Sequence, residues 1–253
     1  MAGNAAFPGQ SVSSRVFALL DTFDEEHREQ RLTEMAGRAS MPIATAHRLT
    51  RELVEWGGLI RTREGGYVVG RRLWELGLLA PAQQGLREVA SPFLHDLYGA
   101  TRATAHLAVR DGTKVLYLDR VRGRASVPVL SNVGSRLPMH ATGVGKVLLA
   151  YAPPGVQQQV FDKLERITPF TVVQPGRLRH ELAKVRNDGY AQTSEEMSLG
   201  AASVAVPVRD ASGDVIAALG VVVASLKRDR LRLVAALTVA AQGIQRSLAT
   251  GAG

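Results

Sequence analysis

Apolar residues recur at helical spacing along the N-terminal part of the chain, and then switch to strand spacing. Val16, Leu19, Leu20 and Phe23 predict a helix over residues 13–23, with Ser13 or Ser14 as its N-cap. A charged loop follows over 24–30. Thr33 stands where it can cap a short helix over 34–39, Ser40 and Met41 form a turn, and Pro42 opens a third helix, where its missing N–H is no loss. Ala46, Leu49, Leu53 and Trp56 fall at i, i+3, i+7 and i+10 and give that helix one buried stripe, which Gly57-Gly58 ends. Two short β-like runs, 59–63 and 67–70, flank Glu64-Gly65-Gly66 and predict a hairpin. Three helices followed by a hairpin, with a tight turn between the second and third helices, form the pattern of a winged helix-turn-helix.

Beyond this the period changes twice. Leu73, Trp74, Leu76, Leu78 and Leu79 predict a linker helix over 71–84, broken near Pro81, and another helix covers 86–98. From Ala103 strands are predicted over 103–110 and 114–121, joined at Asp111-Gly112, with a third over 126–131. Helices follow over 142–151, 155–164 and 179–188, the last ended by Gly189. Strands over 203–208 and 215–224 flank a turn at 210–214, and a long helix covers 229–248. The expected class is α+β in two domains, the second with a largely antiparallel sheet. The expected division is a disordered segment 1–10, a winged helix-turn-helix 11–70, a linker helix 71–85 and a second domain 86–253.

Composition narrows the function classes. The 253 residues contain no cysteine, which excludes disulfides, thiolate metal sites and cysteine nucleophiles. No signal peptide and no apolar run of about 20 residues is visible, so a cytoplasmic protein without membrane contact is expected. The net charge is +8, and its distribution matters more than its size. From Asp21 to Glu34 there are six acids and two arginines, whereas from Arg38 to Arg72 there are seven arginines and three acids. A small domain with one acidic and one basic side suits docking of one face on DNA.

The third helix and the hairpin supply the candidate DNA contacts. With the stripe buried, Ala44, Thr45, His47, Arg48 and Arg51 face outward. Ser40 and Thr45 can bond phosphate or bases, Arg48 can fork onto guanine N7 and O6, and Arg51 suits a phosphate. His47 can instead pack against the second helix. Arg61 and Arg63 on the hairpin would reach the backbone or minor groove.

In the second domain the stretch LPMHATGVGKVLLA, residues 137–150, carries the most chemistry. Thr142 is a natural N-cap, and Gly143, Val144 and Gly145 present free N–H groups at a helix start, where a carboxylate sits well. A plain capped helix with glycines for tight packing fits the residues equally. The stretch is not a P-loop, because His140 and Val147 stand where a glycine and a Ser or Thr are required. Lys146 is expected to snorkel or to pair with an acid. Glu195-Glu196 are adjacent on an extended segment, so their carboxylates point apart and a structural role is expected. His95, His106 and His140 are scattered single histidines, each expected to be structural.

Taken together, residues 13–23, LTEMAGRASMPIATAHRLTREL (32–53), GYVVGRRLWELG (66–77), LPMHATGVGKVLLA (137–150), DGYAQTSEEMSLG (188–200) and residues 203–223 resemble the IclR family of bacterial transcription regulators over nearly the whole chain. The resemblance implies a GAF-like C-terminal domain that binds a small organic effector. It also implies homodimers, often dimers of dimers, on palindromic double-stranded operators. It implies no cofactor and no catalytic residue. By family correspondence the effector pocket draws on Thr142, Gly143, Val144, Val129, Leu137, Thr193, Ser203, Gly220 and Val222. Family members that bind small polar oxoacids carry an acid where this chain has Thr193, and hydroxyl groups where it has Gly220 and Val222. The departure points to an aromatic or otherwise larger carboxylate, with a leucine at Gly220 expected to block a ring and leave the fold intact. Effector binding would shift the placement of two winged helices against half-sites, with the helix around Trp74 as coupling and dimer element. Two alternatives belong to other classes: an enzyme of hydrolase type fused to a helix-turn-helix, and a DNA-binding protein that needs no ligand. Against the first stand the absent cysteine, the absent Gly-x-Ser-x-Gly elbow and the absent His-x-x-x-His pair.

Overall fold

The structure is a computed structural model that describes residues 11–24, 26–78, 81–123, 127 and 130–250. The chain divides into two compact units, residues 1–81 and 82–253.

The first unit is built from α1 (Val12–Leu20), β1 (Glu29–Gln30), α2 (Leu32–Arg38), α3 (Ile43–Trp56), β2 (Leu59–Arg61) and β3 (Tyr67–Val69), followed by α4 (Arg71–Leu78). Its core is Leu19 of α1, Met35 and Ala36 of α2, Ala46, Leu49 and Leu53 of α3, with Leu59 and Tyr67 from the hairpin. The turn between α2 and α3 closes through Met41 N–H donating to Ala36 O at 2.9 Å, with Ser40 in the left-handed region at φ 51°. The predicted elements are present, with shifted ends. Ser11 caps α1, its Oγ accepting from Ser14 N at 3.0 Å, instead of Ser13 or Ser14. Arg31 rather than Thr33 precedes α2, and Glu34 reaches back to accept from Arg31 N at 2.7 Å. Pro42 is the N-cap of α3 and not its first residue. The loop before α2 contains the short strand β1, which pairs with β3 beside the hairpin in the order β1-β3-β2. Trp56 does not join the buried stripe: it is 47% exposed, and Thr50 takes a buried place instead.

The second unit is one six-stranded antiparallel sheet in the order β6-β5-β4-β9-β8-β7, covered on both faces. Its strands are β4 (Thr104–Asp111), β5 (Lys114–Val121), β6 (Arg136–Pro138), β7 (Ala191–Ser194), β8 (Ala202–Arg209) and β9 (Val215–Val223). Two hairpins, β4–β5 and β8–β9, meet where β4 pairs with β9. On one face α5 (Pro81–Thr101) and α9 (Arg230–Thr250) cover Ala105, Leu107, Leu219, Val204 and Val206. On the other, α6 (Gly143–Ala150), α7 (Pro154–Phe161) and α8 (Pro175–Asp188) pack over Ala108, Val115, Tyr117, Ala205 and Ala218. Of the strand expected over 126–131, residues 126, 128 and 129 lie outside the described residues and 127, 130 and 131 are not in a strand; the segment 1–10 also lies outside the described residues. Among the described residues no helix is long and apolar enough to cross a membrane.

Candidate functional site

In the first unit the sequence-predicted contact residues share the exposed side of α3 and the hairpin. Ser40, Ala44, His47, Arg48, Arg51, Arg61 and Arg63 are exposed, and Thr45 is half-buried. His47 therefore points to solvent and does not pack away against α2. Two of the arginines are already engaged along the helix: Arg48 Nη1 lies 2.7 Å from Glu52, and Arg51 Nε lies 3.5 Å from Glu55. Such exposed i,i+4 pairs are weak, so a phosphate or base edge can replace the carboxylate at little cost. Arg61 and Arg63 have no ion-pair partner among the described residues. Arg38 departs from the basic run: its guanidinium is 2.6 Å from Asp24, which also takes His27 Nδ1 at 2.7 Å. The His27 ring bond, with the backbone N–H groups of His27 and Glu26, holds the Asp24 carboxyl down to about 2.

In the second unit a cavity lies between the sheet and the start of α6, enclosing about 520 Å³ with its mouth included. Leu137, Thr142, Gly143, Val144, Thr193, Ser203, Gly220 and Val222 all line it. Val129 lies outside the described residues. Strand register explains the convergence. Thr193 faces Ser203 across β7 and β8, Ser203 faces Val222 across β8 and β9, and Gly220 sits in the adjacent row opposite Ala205 and His106.

Thr142 caps α6, its Oγ1 accepting from Gly145 N at 3.2 Å. The N–H groups of Gly143 and Val144 have no acceptor within the helix, and the positive end of the helix dipole lies there. Ser203 Oγ sits under this end, only 2.6 Å from where a Cβ on Gly143 would be, and shares a 2.6 Å hydrogen bond with Thr193 Oγ1. Backbone donors and two hydroxyls thus gather at one end of the cavity. The walls are apolar: Leu137, Val144, Met197 and Val222.

Gly220 is tighter than its sequence suggests. A Cβ there would fall 2.8 Å from Val144 Cγ1 and 3.2 Å from Ala205 Cβ. Both neighbours are buried, so leucine at Gly220 strains the core and does not leave the fold intact.

Sequence reasoning missed several members of the lining, among them His106, Tyr117 and Ser131. His106 is fully buried, with Nε2 at 2.8 Å from Ser131 Oγ and its ring edge-on to Tyr117 at 5.2 Å between centroids. Burial, helped by the nearby Arg120 guanidinium, pushes the imidazole down to about 3, and burial also raises the Tyr117 phenol. His140, by contrast, is structural: its Nε2 meets Glu165 O at 2.9 Å.

Behind the cavity Lys146 is buried and ends among acids. Its Nζ lies 2.6 Å from Glu181 Oε2 and 2.6 and 2.8 Å from the two Glu196 oxygens. Glu195 points the other way, its Oε1 accepting from Gly200 N at 2.8 Å. The two carboxylates therefore split, one inward to a lysine and one outward to close a loop. That loop carries Met197 and Ser198 into the cavity wall.

Comparison with known proteins agrees with both units. A family model described as the IclR helix-turn-helix domain matches residues 13–62, and one described as bacterial transcriptional regulator IclR C-terminal matches residues 80–246. The chain is 33% identical over 213 residues to the HTH-type transcriptional regulator XynR of Escherichia coli, covering 83% of this chain and 84% of that protein. It is 32% identical over 246 residues to the regulator KdgR of the same organism, covering 94% and 93%. Among solved structures, an IclR homolog from Microbacterium hydrocarbonoxydans complexed with 4-hydroxybenzoate superposes with a TM-score of 0.89 at 37% identity, covering 95% of this chain and 100% of that one. The Thermotoga maritima IclR superposes with a TM-score of 0.76 at 29% identity, covering 93% and 98%. The chain belongs to the IclR family of bacterial transcriptional regulators, with a DNA-binding helix-turn-helix and an effector domain.

Proposed function

We propose that this regulator binds a palindromic operator as a dimer and that a small aromatic carboxylate in the cavity tunes its affinity for DNA. The observation that carries the effector reading is the gathering of the Gly143 and Val144 N–H groups with the Ser203 and Thr193 hydroxyls at one end of an otherwise apolar cavity. A carboxylate suits the donors, and a ring suits the walls. The absence of an acid at Thr193 removes a charge that would repel an anion. That the similar Microbacterium protein is complexed with 4-hydroxybenzoate supports the same class of ligand. Titration calorimetry with 4-hydroxybenzoate and with a short oxoacid tests it. Binding of the aromatic acid is expected, and tight binding of the oxoacid alone would refute the aromatic preference.

On the DNA side Arg48 reads a base and Arg51 a phosphate. Arg48→Ala is expected to weaken specific binding by about 1–3 kcal/mol and to relax preference at one position per half-site. Arg51→Ala is expected to weaken binding to all sequences alike and to flatten the salt dependence. Footprinting and salt titration check both, and two variants that behave like wild type would move the recognition face elsewhere.

One winged helix covers too few base pairs for useful specificity, which paired subunits on paired half-sites correct. Trp74, 60% exposed on α4, is the candidate anchor of pairing. Light scattering is expected to find a dimer or a dimer of dimers, and a stable monomer protecting one non-palindromic site would count decisively against it.

A further inference from the structure

We propose that His106, held by Ser131, is the specificity residue of the cavity and reads a hydroxyl on the far side of the effector's ring. The inference rests on the aromatic-carboxylate reading and adds what that reading leaves open, the substituent that the site selects.

Three observations converge. First, position: His106 faces Gly220 across β4 and β9, Gly220 faces Ala205 on β8, and Ser203 lies two residues along β8 from Ala205. Two strand spacings and two residues of rise put the Cα atoms of His106 and Ser203 about 12 Å apart. One six-membered ring bridges that separation once both side chains reach up from the sheet. Second, space: Gly220, which stands between them, has no side chain, and the cavity that it lines together with Val144 reaches both His106 and Ser203. Third, an open valence: Ser131 takes Nε2, while Nδ1 has no hydrogen bond to any described residue. The ring is only 2% exposed and lines the cavity, so an occupant of the cavity is what can satisfy it.

The chemistry selects a hydroxyl. A neutral imidazole carries one donor and one acceptor, and the Ser131 hydroxyl can serve either. The free nitrogen is therefore an acceptor or a donor according to tautomer, and a phenol hydroxyl matches both. The group stays neutral throughout the physiological range, because burial and the Arg120 guanidinium hold it down to about 3. A second carboxylate at this end would lose its water beside an Arg120 guanidinium already bonded to Ser131 and Asn132, and is disfavoured. Ser131 is itself fixed, its carbonyl oxygen accepting from the Arg120 guanidinium, which also donates to Asn132. The imidazole is thus oriented before the ligand arrives.

Calorimetric titration of the full-length protein with 4-hydroxybenzoate, benzoate and terephthalate tests the assignment. Wild type is expected to prefer 4-hydroxybenzoate over benzoate by about tenfold or more, the worth of one satisfied buried hydrogen bond, and to reject terephthalate. His106→Phe keeps an aromatic ring against Tyr117 and removes the ring nitrogens; it is expected to erase the preference while still binding benzoate. Ser131→Ala, which frees the imidazole to turn, is expected to reduce the preference partway, and it decides the matter should His106→Phe fail to fold. A preference kept in both variants overturns the role of His106 and leaves the aromatic-carboxylate reading standing. Equal binding of the two monocarboxylates by wild type does the same. Loss of both acids in a His106→Phe protein that melts like wild type would place the carboxylate, not the hydroxyl, at His106 and also overturn it. If wild type binds neither acid, the effector reading itself falls, and this assignment with it.

Discussion

Lys146→Met is expected to destabilise the larger unit by about 3–5 kcal/mol, the cost of removing one partner from a buried ion pair. The lysine is 1% exposed, and its ammonium is held between Glu181 on α8 and Glu196 after β7. Methionine fills the aliphatic volume but leaves two carboxylates facing each other with no cation. The deficit depends on pH in a direction fixed by Glu196. Burial already lifts that carboxyl above its ordinary value against the pull of Lys146, and loss of the lysine lifts it further. A folded-state pKa above the unfolded one gives stability that is fully present below the unfolded pKa and lost as pH rises through the folded pKa. The variant should therefore approach wild type in mild acid and fall away towards neutral and alkaline pH. Calorimetric melts at several pH values check this, with a drop of about 10 °C or more expected near neutrality. Tryptophan fluorescence gives an internal control, since Trp56 and Trp74 both lie in the smaller unit. Adding Glu196→Gln to Lys146→Met should recover part of the loss. A single variant that melts like wild type at every pH would show that the cluster contributes nothing net.

How much of this was legible in the sequence follows from where each signal resides. The helix-turn-helix was readable because its determinants are local: the spacing of Ala46, Leu49 and Leu53, the turn at Ser40 and Met41, and the glycines after α3. Trp56 broke the pattern at the place where local reasoning ends. It belongs to the last helical residue, the chain reverses at Gly57 in the left-handed region, and the indole spreads over Gly58 instead of entering the core. The start of α6 was equally local, a cap followed by small residues. The rest of the cavity was not. His106 and Gly220 are neighbours only because two hairpins far apart in sequence join at β4 and β9, and no spacing within the chain announces that pairing. Alternation could not help, since β4 is covered on both faces and reads as nearly continuous burial from Thr104 to Ala108. Within it Thr104, His106 and Ala108 alternate with Ala105 and Leu107, and the polar and small set is the one that turns to the cavity side. That faint asymmetry was the available signal. The single-histidine rule, applied to His106, suppressed it. Strand β7 escaped notice for a related reason: it is four residues long, half polar, and defined by its partner β8.

Val144→Asp is expected to abolish binding of an acidic effector. Val144 is the second residue of α6, buried against Gly220, with its side chain in the cavity wall and its N–H among the donors proposed for the carboxylate. A charged side chain there lies within about 4 Å of the ligand's own charge. At the effective dielectric of a partly buried site that repulsion is about 4 kcal/mol, or about a thousandfold in affinity. Charge must be separated from shape, because aspartate also removes apolar packing over Gly220. Val144→Asn makes the same change of shape without the charge and is expected to keep binding within about tenfold of wild type, the scale of one perturbed packing or hydrogen-bond contact. The contrast between the two variants, measured by calorimetry with 4-hydroxybenzoate at neutral pH, isolates the electrostatic part. Lowering the pH until the new carboxyl protonates should narrow the contrast, provided both proteins remain folded by circular dichroism. Equal losses in Asp and Asn would mean that the carboxylate does not sit at the start of α6, whatever else the cavity holds.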